Sequence, residues 1–402
     1  MKSFTKAYIP YGGYYSTPFS RWQGSMQYDN AVSLGAETAR RWFLEKKKLD
    51  PTIIDYLFFG STVAQNHWFC AHNWAAAILT DDQRFVPGLF INQACSTSTT
   101  ILNLAAMNIE LGNYQVAFGL MTDRCSNGPH TVWPDPLGPG GMPDREDWMM
   151  DNFGGNPKHR TPMVQTAENA AKEIGGITKE DCDAVVLRRY EQYQMALAND
   201  RAFQKRYMFP PEVTVNKKTK KLLETDEGWT PSTAEGLARL KPVVPGGVLS
   251  FGAQTFPADG NCGIIVTTRD KAKELSTDQR IEIQIVSYGF ARVKPMFMPL
   301  APIPAAEMAI ANAGIKLSDV KAVKTHNPFA VNDIAFARKT GYDLMKMNNY
   351  GSSLIYGHPQ APTAGRLIIE LIEEITLKGG GYGLFTGCSA GDTAAALVVR
   401  VS

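Results

Sequence analysis

The sequence predicts an α/β fold of layered strands and helices, organised as two similar halves with an insertion in the first. Three observations carry this reading. Strand-like apolar runs alternate with helical patterns at both ends of the chain, residues 127–245 lose that alternation, and the last third echoes the first.

Residues 54–59 (IDYLFF) form a continuous apolar run closed by the turn at Gly60 and Ser61, as expected of a buried strand. Residues 85–92 lead into Cys95 and the periodic segment 98–111, with Gly112 placed as a helix C-cap. That segment is apolar around most of its circumference, so an interior helix is expected. The next strand, 115–121, is expected to turn at Thr122 and Asp123. Pro and Gly then crowd 128–143, and residues 156–221 carry 13 Lys and Arg against 8 Asp and Glu. The excess reads as a solvated helical insertion, or as a cationic cover over a phosphorylated ligand. Strand patterns resume at 262–268 and 322–325, the latter running into the polar turn His326–Asn327. A helix at 364–377, a strand at 382–386, a Gly-rich turn and a strand at 396–401 complete the chain. The internal echo is clearest between YQVAFGLMTDRCSN and GYGLFTGCSAGDTA, each an apolar strand followed by a Cys-containing polar turn.

The 402 residues, 44% hydrophobic and 20% charged, suffice for two or three compact units. A net charge of +2 gives no basis for nucleic-acid or anionic-membrane binding. No apolar stretch approaches the roughly 18 residues of a membrane span, and the start lacks a signal-peptide pattern. Six cysteines without a CxxC pair read as reduced thiols in a cytoplasm. His67 and His72 flank Cys70, but no second ligand cluster accompanies them, so they read as loop or core residues and no metal is expected.

Cys95, in QACSTS, falls between a strand and the start of a buried helix, where unpaired N–H groups favour a thiolate. An inert buried cysteine fits that segment equally well. His358, in YGHPQAP, sits in a Gly/Pro turn after a strand-like segment, positioned as a base with an ordinary pKa or as a structural turn residue. Cys388, in TGCSAGD, is a second cysteine at a strand end. Three such residues at strand ends converge on one face of α/β layers, and the joint pattern is more specific than any one.

The Cys95 segment with its helix, GLMTDRCSNGP and MVQTAENAA resemble the first half of thiolases. EGLARLKPVV, SFGAQTFPADG, GHP, GR and TGCSAG follow in thiolase order, so the resemblance covers essentially the whole chain. It implies two α/β halves stacked as αβαβα layers, with residues 1–126 and 246–275 as the first half, 127–245 as an inserted loop domain and 276–402 as the second half. It further implies an acyltransferase that cleaves a 3-oxoacyl-CoA with coenzyme A as co-substrate, without a permanently bound cofactor. Cys95 would be the nucleophile, His358 its base and Cys388 the acid/base at the substrate α-carbon. Met163, Thr255 and Phe329 would line the acyl or pantetheine channel, and the backbone N–H groups of Cys95 and Ala390 would form an oxyanion hole.

Two departures stand out. Thiolases commonly carry Asn-Glu-Ala-Phe where this chain has His326-Asn327-Pro328-Phe329. A His in the first position is similar to the sterol-carrier-type branch, where it helps build an oxyanion hole through a water. The missing Glu charge must be absent or supplied elsewhere. Ser389-Ala390-Gly391-Asp392 also replaces a run of glycines. A ketosynthase shares the nucleophilic Cys but uses two His, or His and Asn; GHP with Cys388 favours a thiolase, whether degradative or biosynthetic. A catalytically silent scaffold subunit is disfavoured by retention of Cys95, His358 and Cys388 together. Trp22, His67, Trp68, Phe69 and Trp74 fit a bulky or aromatic substrate, and core packing explains them at least as well. General similarity to benzoylsuccinyl-CoA thiolases implies cleavage to benzoyl-CoA and succinyl-CoA. The resemblance also implies a homodimer or dimer of dimers, with a small zinc-ribbon partner in some members of the branch.

Overall fold

Period-two alternation sorts the strands into layers. Along Thr393–Val401, the side chains of Leu397, Val399 and Val401 enter one core while Ala394, Ala396 and Val398 enter another. In the first half, Leu57 and Phe59 face an outer core and Phe58 the central one. The computed structural model describes residues 3–155 and 158–402; Asn156 and Pro157, which open the cation-rich segment, lie outside the described residues.

Nine strands follow one another in a single hydrogen-bonded path: Val320–His326, Gly381–Ser389, Thr393–Val401, Glu282–Arg292, Tyr8–Pro10, Ala258–Thr267, Val116–Arg124, Tyr56–Gly60 and Gly88–Ile91. Tyr8–Pro10 joins the two arms. The internal echo is structural. Val116–Arg124 lies parallel to Tyr56–Gly60 and antiparallel to Ala258–Thr267. Likewise, Gly381–Ser389 lies parallel to Val320–His326 and antiparallel to Thr393–Val401.

Helices Thr97–Glu110 and Ala361–Leu377 share the central core between the arms. Ala31–Arg41 and Ala71–Thr80 cover the outside of the first arm. Pro302–Ala313 and Ala330–Thr340 cover the second. The predicted αβαβα layering is therefore the observed one. Gly365 lets helix Ala361–Leu377 approach the sheet and the facing helix, because a Cβ there would collide with Cys262 Sγ of strand Ala258–Thr267 and press on Met121 and Ser98. Between Arg124 and Ala258 no described strand joins the main sheet, which this stretch touches through the isolated bridge of Met208 to Ser16; the stretch holds two small hairpins and the helices Trp148–Gly154, Met163–Ile174, Lys179–Arg201 and Ala234–Arg239. No helix among the described residues is long and apolar enough to cross a membrane.

Three local expectations are corrected. The strand through Thr122 and Asp123 does not turn there, because pairing of Gly260 with Asp123 and of Asp259 with Arg124 carries it on. Cys388 lies within its strand, paired to Ala394, and the turn falls later, where Gly391 and Asp392 adopt positive φ. The strand-like segment before His358 is one helical turn, Ser353–Tyr356.

A buried ionic network ties the inserted stretch to the central layer. Arg366 donates two N–H groups to Asp226 (2.6 and 2.8 Å) and one to Glu370 (3.0 Å), which also accepts from Lys324. Tyr193 donates to Asp226, and Tyr207 and Tyr356 donate to Glu370. All four charged groups are fully buried, so each depends on the others for compensation.

Candidate active site

Ala94 adopts φ +45°, turning the chain sharply into the first turn of the buried helix and presenting Cys95 at its start. Across the gap, His358 is fixed by its backbone: its N–H donates to Phe256 O (2.9 Å) and its carbonyl accepts from Ala258 N (3.3 Å). Cys95 Sγ and His358 Nε2 lie 3.0 Å apart. A second acceptor, Gln360 Oε1, lies 3.4 Å from the sulfur. His358 Nδ1 lies 2.6 Å from Thr363 Oγ1; with Nδ1–H donating there, Nε2 is free to accept the thiol proton.

Burial pushes the Cys95 thiol up to about 12, against the backbone N–H groups of Ala390 and Cys95, which favour its anion. Burial also pushes His358 well below its ordinary value, with His326 adding to the shift. Both shifts run against the expected thiolate and ordinary imidazole base: burial favours the neutral thiol and the neutral imidazole. Cys125 Sγ, fully buried, lies 3.9 Å from the His358 carbonyl.

His326 closes the site from the second half. Its ring centroid lies 4.1 Å from that of His358, and Cys95 Sγ and nitrogens of both rings lie within 4.8 Å of one another. Nδ1 lies 2.8 Å from Ser353 Oγ, whereas Nε2 is buried without a partner. Ser353 Oγ also accepts from Asn327 N (3.4 Å) and has a second acceptor for its own proton in Asn327 Oδ1 (3.3 Å). Burial pushes His326 down to about 3, so the ring is neutral.

The missing Glu charge has a counterpart behind the turn. Asn327 Nδ2 donates to Asp333 (2.7 Å), which also accepts from Arg189, Thr325 and Asn348. Cys388 Sγ accepts from Asn332 Nδ2 at 3.2 Å, and burial pushes its thiol well above the ordinary value.

A cavity of about 800 Å³ opens onto Cys95, His358 and Cys388 and reaches Ala390. Met163, Thr255 and Phe329, expected along the channel, all line it. Thr255 Oγ1 donates to Ser353 O, and Thr255 N to Pro328 O, so the two halves are stitched together at this wall. The aromatic lining comes from Trp148, Phe153, Phe251, Phe256 and Phe329. The aromatics singled out in the sequence are elsewhere. Trp68 packs on Phe90, Trp74 joins the outer core, Phe69 is exposed, and Trp22 lines a separate cavity with Arg21 and Trp229. His67 and Cys70 are exposed around the start of helix Ala71–Thr80, which carries His72, and join no ligand cluster. No described Lys or Arg lines the catalytic cavity. Cations of that segment are instead engaged in pairs such as the fully buried Arg189–Asp333 and the largely buried Arg206–Glu373 and Lys179–Asp183.

Sequence reasoning missed Gln360, Thr363, Ser353, Asn332 and Asp333. The first two follow His358 within one turn and were visible as polar residues opening a helix. The others gain meaning only through contacts made by folding.

The thiolase N-terminal domain model matches residues 13–270 and the thiolase C-terminal domain model residues 279–401. The chain therefore belongs to the thiolase family and is an acyltransferase. An acetyl-CoA acetyltransferase of Syntrophomonas wolfei is 28% identical, with 96% of each chain covered. The human mitochondrial 3-ketoacyl-CoA thiolase is 26% identical, again over 96% of each. The solved structure of that human enzyme with CoA superposes with a TM-score of 0.88 at 24% identity, covering 99% of this chain and 98% of the other. The Bacillus anthracis acetyl-CoA acetyltransferase superposes with a TM-score of 0.89 at 23% identity, covering 100% of both.

Proposed function

We propose that the protein cleaves a 3-oxoacyl-CoA bearing a bulky aromatic acyl group, using coenzyme A and a Cys95 acyl-enzyme. The observation that carries the reading is the 3.0 Å Cys95–His358 contact at the floor of an aromatic cavity that also receives Cys388.

As the Cys95 sulfur attacks the C3 carbonyl, its proton passes to His358 Nε2. The oxyanion is met by the N–H groups of Cys95 and Ala390, supplemented by a water held on His326 Nε2. Collapse breaks the C2–C3 bond and leaves a thioester enolate, which Cys388 protonates on carbon. The resulting Cys388 thiolate takes the proton of an incoming coenzyme A thiol. That thiol attacks the Cys95 thioester, and the His358 proton returns to the departing sulfur. Neutral resting forms of both groups suit this sequence, because each proton moves only when charge develops on substrate.

Benzoylsuccinyl-CoA, giving benzoyl-CoA and succinyl-CoA, is the substrate we infer. Its phenyl group matches the Phe and Trp walls, and its free carboxylate must be met by neutral donors such as Asn92 and Asn152, since no described Lys or Arg lines the cavity. We further infer that residues 127–245 form the inserted loop domain, that the enzyme works in a cytoplasm as a homodimer or dimer of dimers, that a small zinc-ribbon subunit joins it, and that coenzyme A is its only co-substrate. A screen of 3-oxoacyl-CoAs with coenzyme A tests the substrate: kcat/KM should be highest for phenyl-bearing substrates. Preference for acetoacetyl-CoA by tenfold or more contradicts the aromatic reading.

A further inference from the structure

Asn332 stands on the first turn of helix Ala330–Thr340, fully buried, and both ends of its amide are engaged. Oδ1 accepts the N–H of Phe329 at 3.3 Å. That contact fixes which way the amide points, because a backbone N–H can only donate. Nδ2 is therefore the atom facing Cys388, and the 3.2 Å contact is an N–H donated to sulfur.

We propose that Asn332 is the positioning residue of the α-carbon acid/base: its amide N–H holds the Cys388 sulfur as a hydrogen-bond acceptor, stabilising the thiolate and aiming the S–H of the thiol into the cavity. This rests on Cys388 acting at the α-carbon. A donor is needed there because neighbouring negative charge works against the anion. Asp333, ion-paired with Arg189 of the packed helix Lys179–Arg201, raises Cys388, and Cys95 does so whenever it is a thiolate. The nearby imidazoles of His326 and His358 are driven towards their neutral forms by burial. Besides the residue's own backbone, Asn332 is the group whose hydrogen bond favours the Cys388 anion.

The alternative is that Asn332 merely caps its helix through Phe329. Aspartate separates the two, since it keeps and strengthens the cap acceptor while losing the donor and adding a charge beside the sulfur. The experiment measures α-proton exchange of an acyl-CoA in deuterated water against pH, beside the rate of Cys95 acylation by a simple thioester, for wild type, Asn332→Leu, Asn332→Asp and Cys388→Ala. Loss of a hydrogen bond to a charged group shifts the acidic limb of exchange upward by about one to two pH units, roughly 10–100-fold slower exchange at neutral pH. Both Asn332 variants should show this, Asn332→Asp at least as strongly, with acylation within about threefold of wild type. Recovery of the wild-type exchange profile by Asn332→Asp, or equal losses of exchange and acylation in both variants, overturns the inference in favour of the cap. If Cys388→Ala itself exchanges at the wild-type rate, the assignment of Cys388 falls instead, whatever Asn332 does.

Discussion

Replacing Arg366 by Met removes the one cation paired with Asp226 among the described residues, while keeping most of the side-chain volume between Phe19 and Tyr356. Asp226 then retains neutral donors, Phe19 N, Tyr193 Oη and Gln204 Nε2, whereas Glu370 keeps Lys324 and two tyrosines. Stranding one buried charge typically costs about 3–5 kcal/mol, and the three remaining donors place the expected loss in the lower half of that range. Asp226→Leu should cost a similar amount, and the double variant should be about 1–3 kcal/mol more stable than the sum of the single losses predicts. Activity should fall with stability, because Lys324 lies two residues before His326 and Tyr356 two before His358. Urea unfolding of the four proteins at pH 7.5 provides the numbers. A single-variant loss below about 1 kcal/mol, or strict additivity, would refute the view that this network supports the inserted stretch on the catalytic layer.

Other consequences follow from the site. The folded His326 holds its proton only below about pH 3, whereas unfolded histidine binds one near 6.5, so the unfolded state gains protons first and stability falls as pH drops through this window. His326→Gln should flatten the fall by up to about 1.4 kcal/mol per pH unit between roughly pH 6 and 4, and parallel curves would mean the imidazole is not held neutral. His358→Ala should slow alkylation of Cys95 by iodoacetamide at pH 7.5 by roughly 100-fold or more, and an unchanged rate would place the base elsewhere. Gly365→Ala should cost about 1–3 kcal/mol, since the added methyl has no room beside Cys262, Met121 and Ser98; a neutral result would show that helix Ala361–Leu377 can move away from these contacts.

Much of the scaffold was legible because period and punctuation are local. The apolar run at 54–59, the interior helix ending at Gly112 and the repeat of an apolar strand in each half needed no tertiary information. Cys95, His358 and Cys388 stood out because all three fall at junctions between predicted elements, and that joint pattern is more specific than any one of them. Their protonation states were misread, since burial depends on the whole assembly. Glu370 shows where reading along the chain stops: a charge inside LIIELIEEI was visible, with Arg366 four residues before it on the same helix, but Lys324, Tyr207 and Tyr356 reach it from three other segments. The aromatics failed for the same reason. Trp68 and Trp74 lie near Cys95 in sequence, yet the parallel pairing of Gly88–Ile91 sends them to the outer layer, and the cavity wall is recruited from 148–153 and 251–256.

The central claim is a covalent acyl group on Cys95, and intact-protein mass spectrometry reads it directly. Wild-type enzyme mixed briefly with 3-oxo-3-phenylpropanoyl-CoA, without free coenzyme A, should gain the mass of one benzoyl group. Peptide mapping should place it on Cys95, and added coenzyme A should release it as benzoyl-CoA. Cys95→Ala, correctly folded, should show neither adduct nor turnover. Substantial turnover by that variant, or an adduct on Cys388 in place of Cys95, would contradict the account.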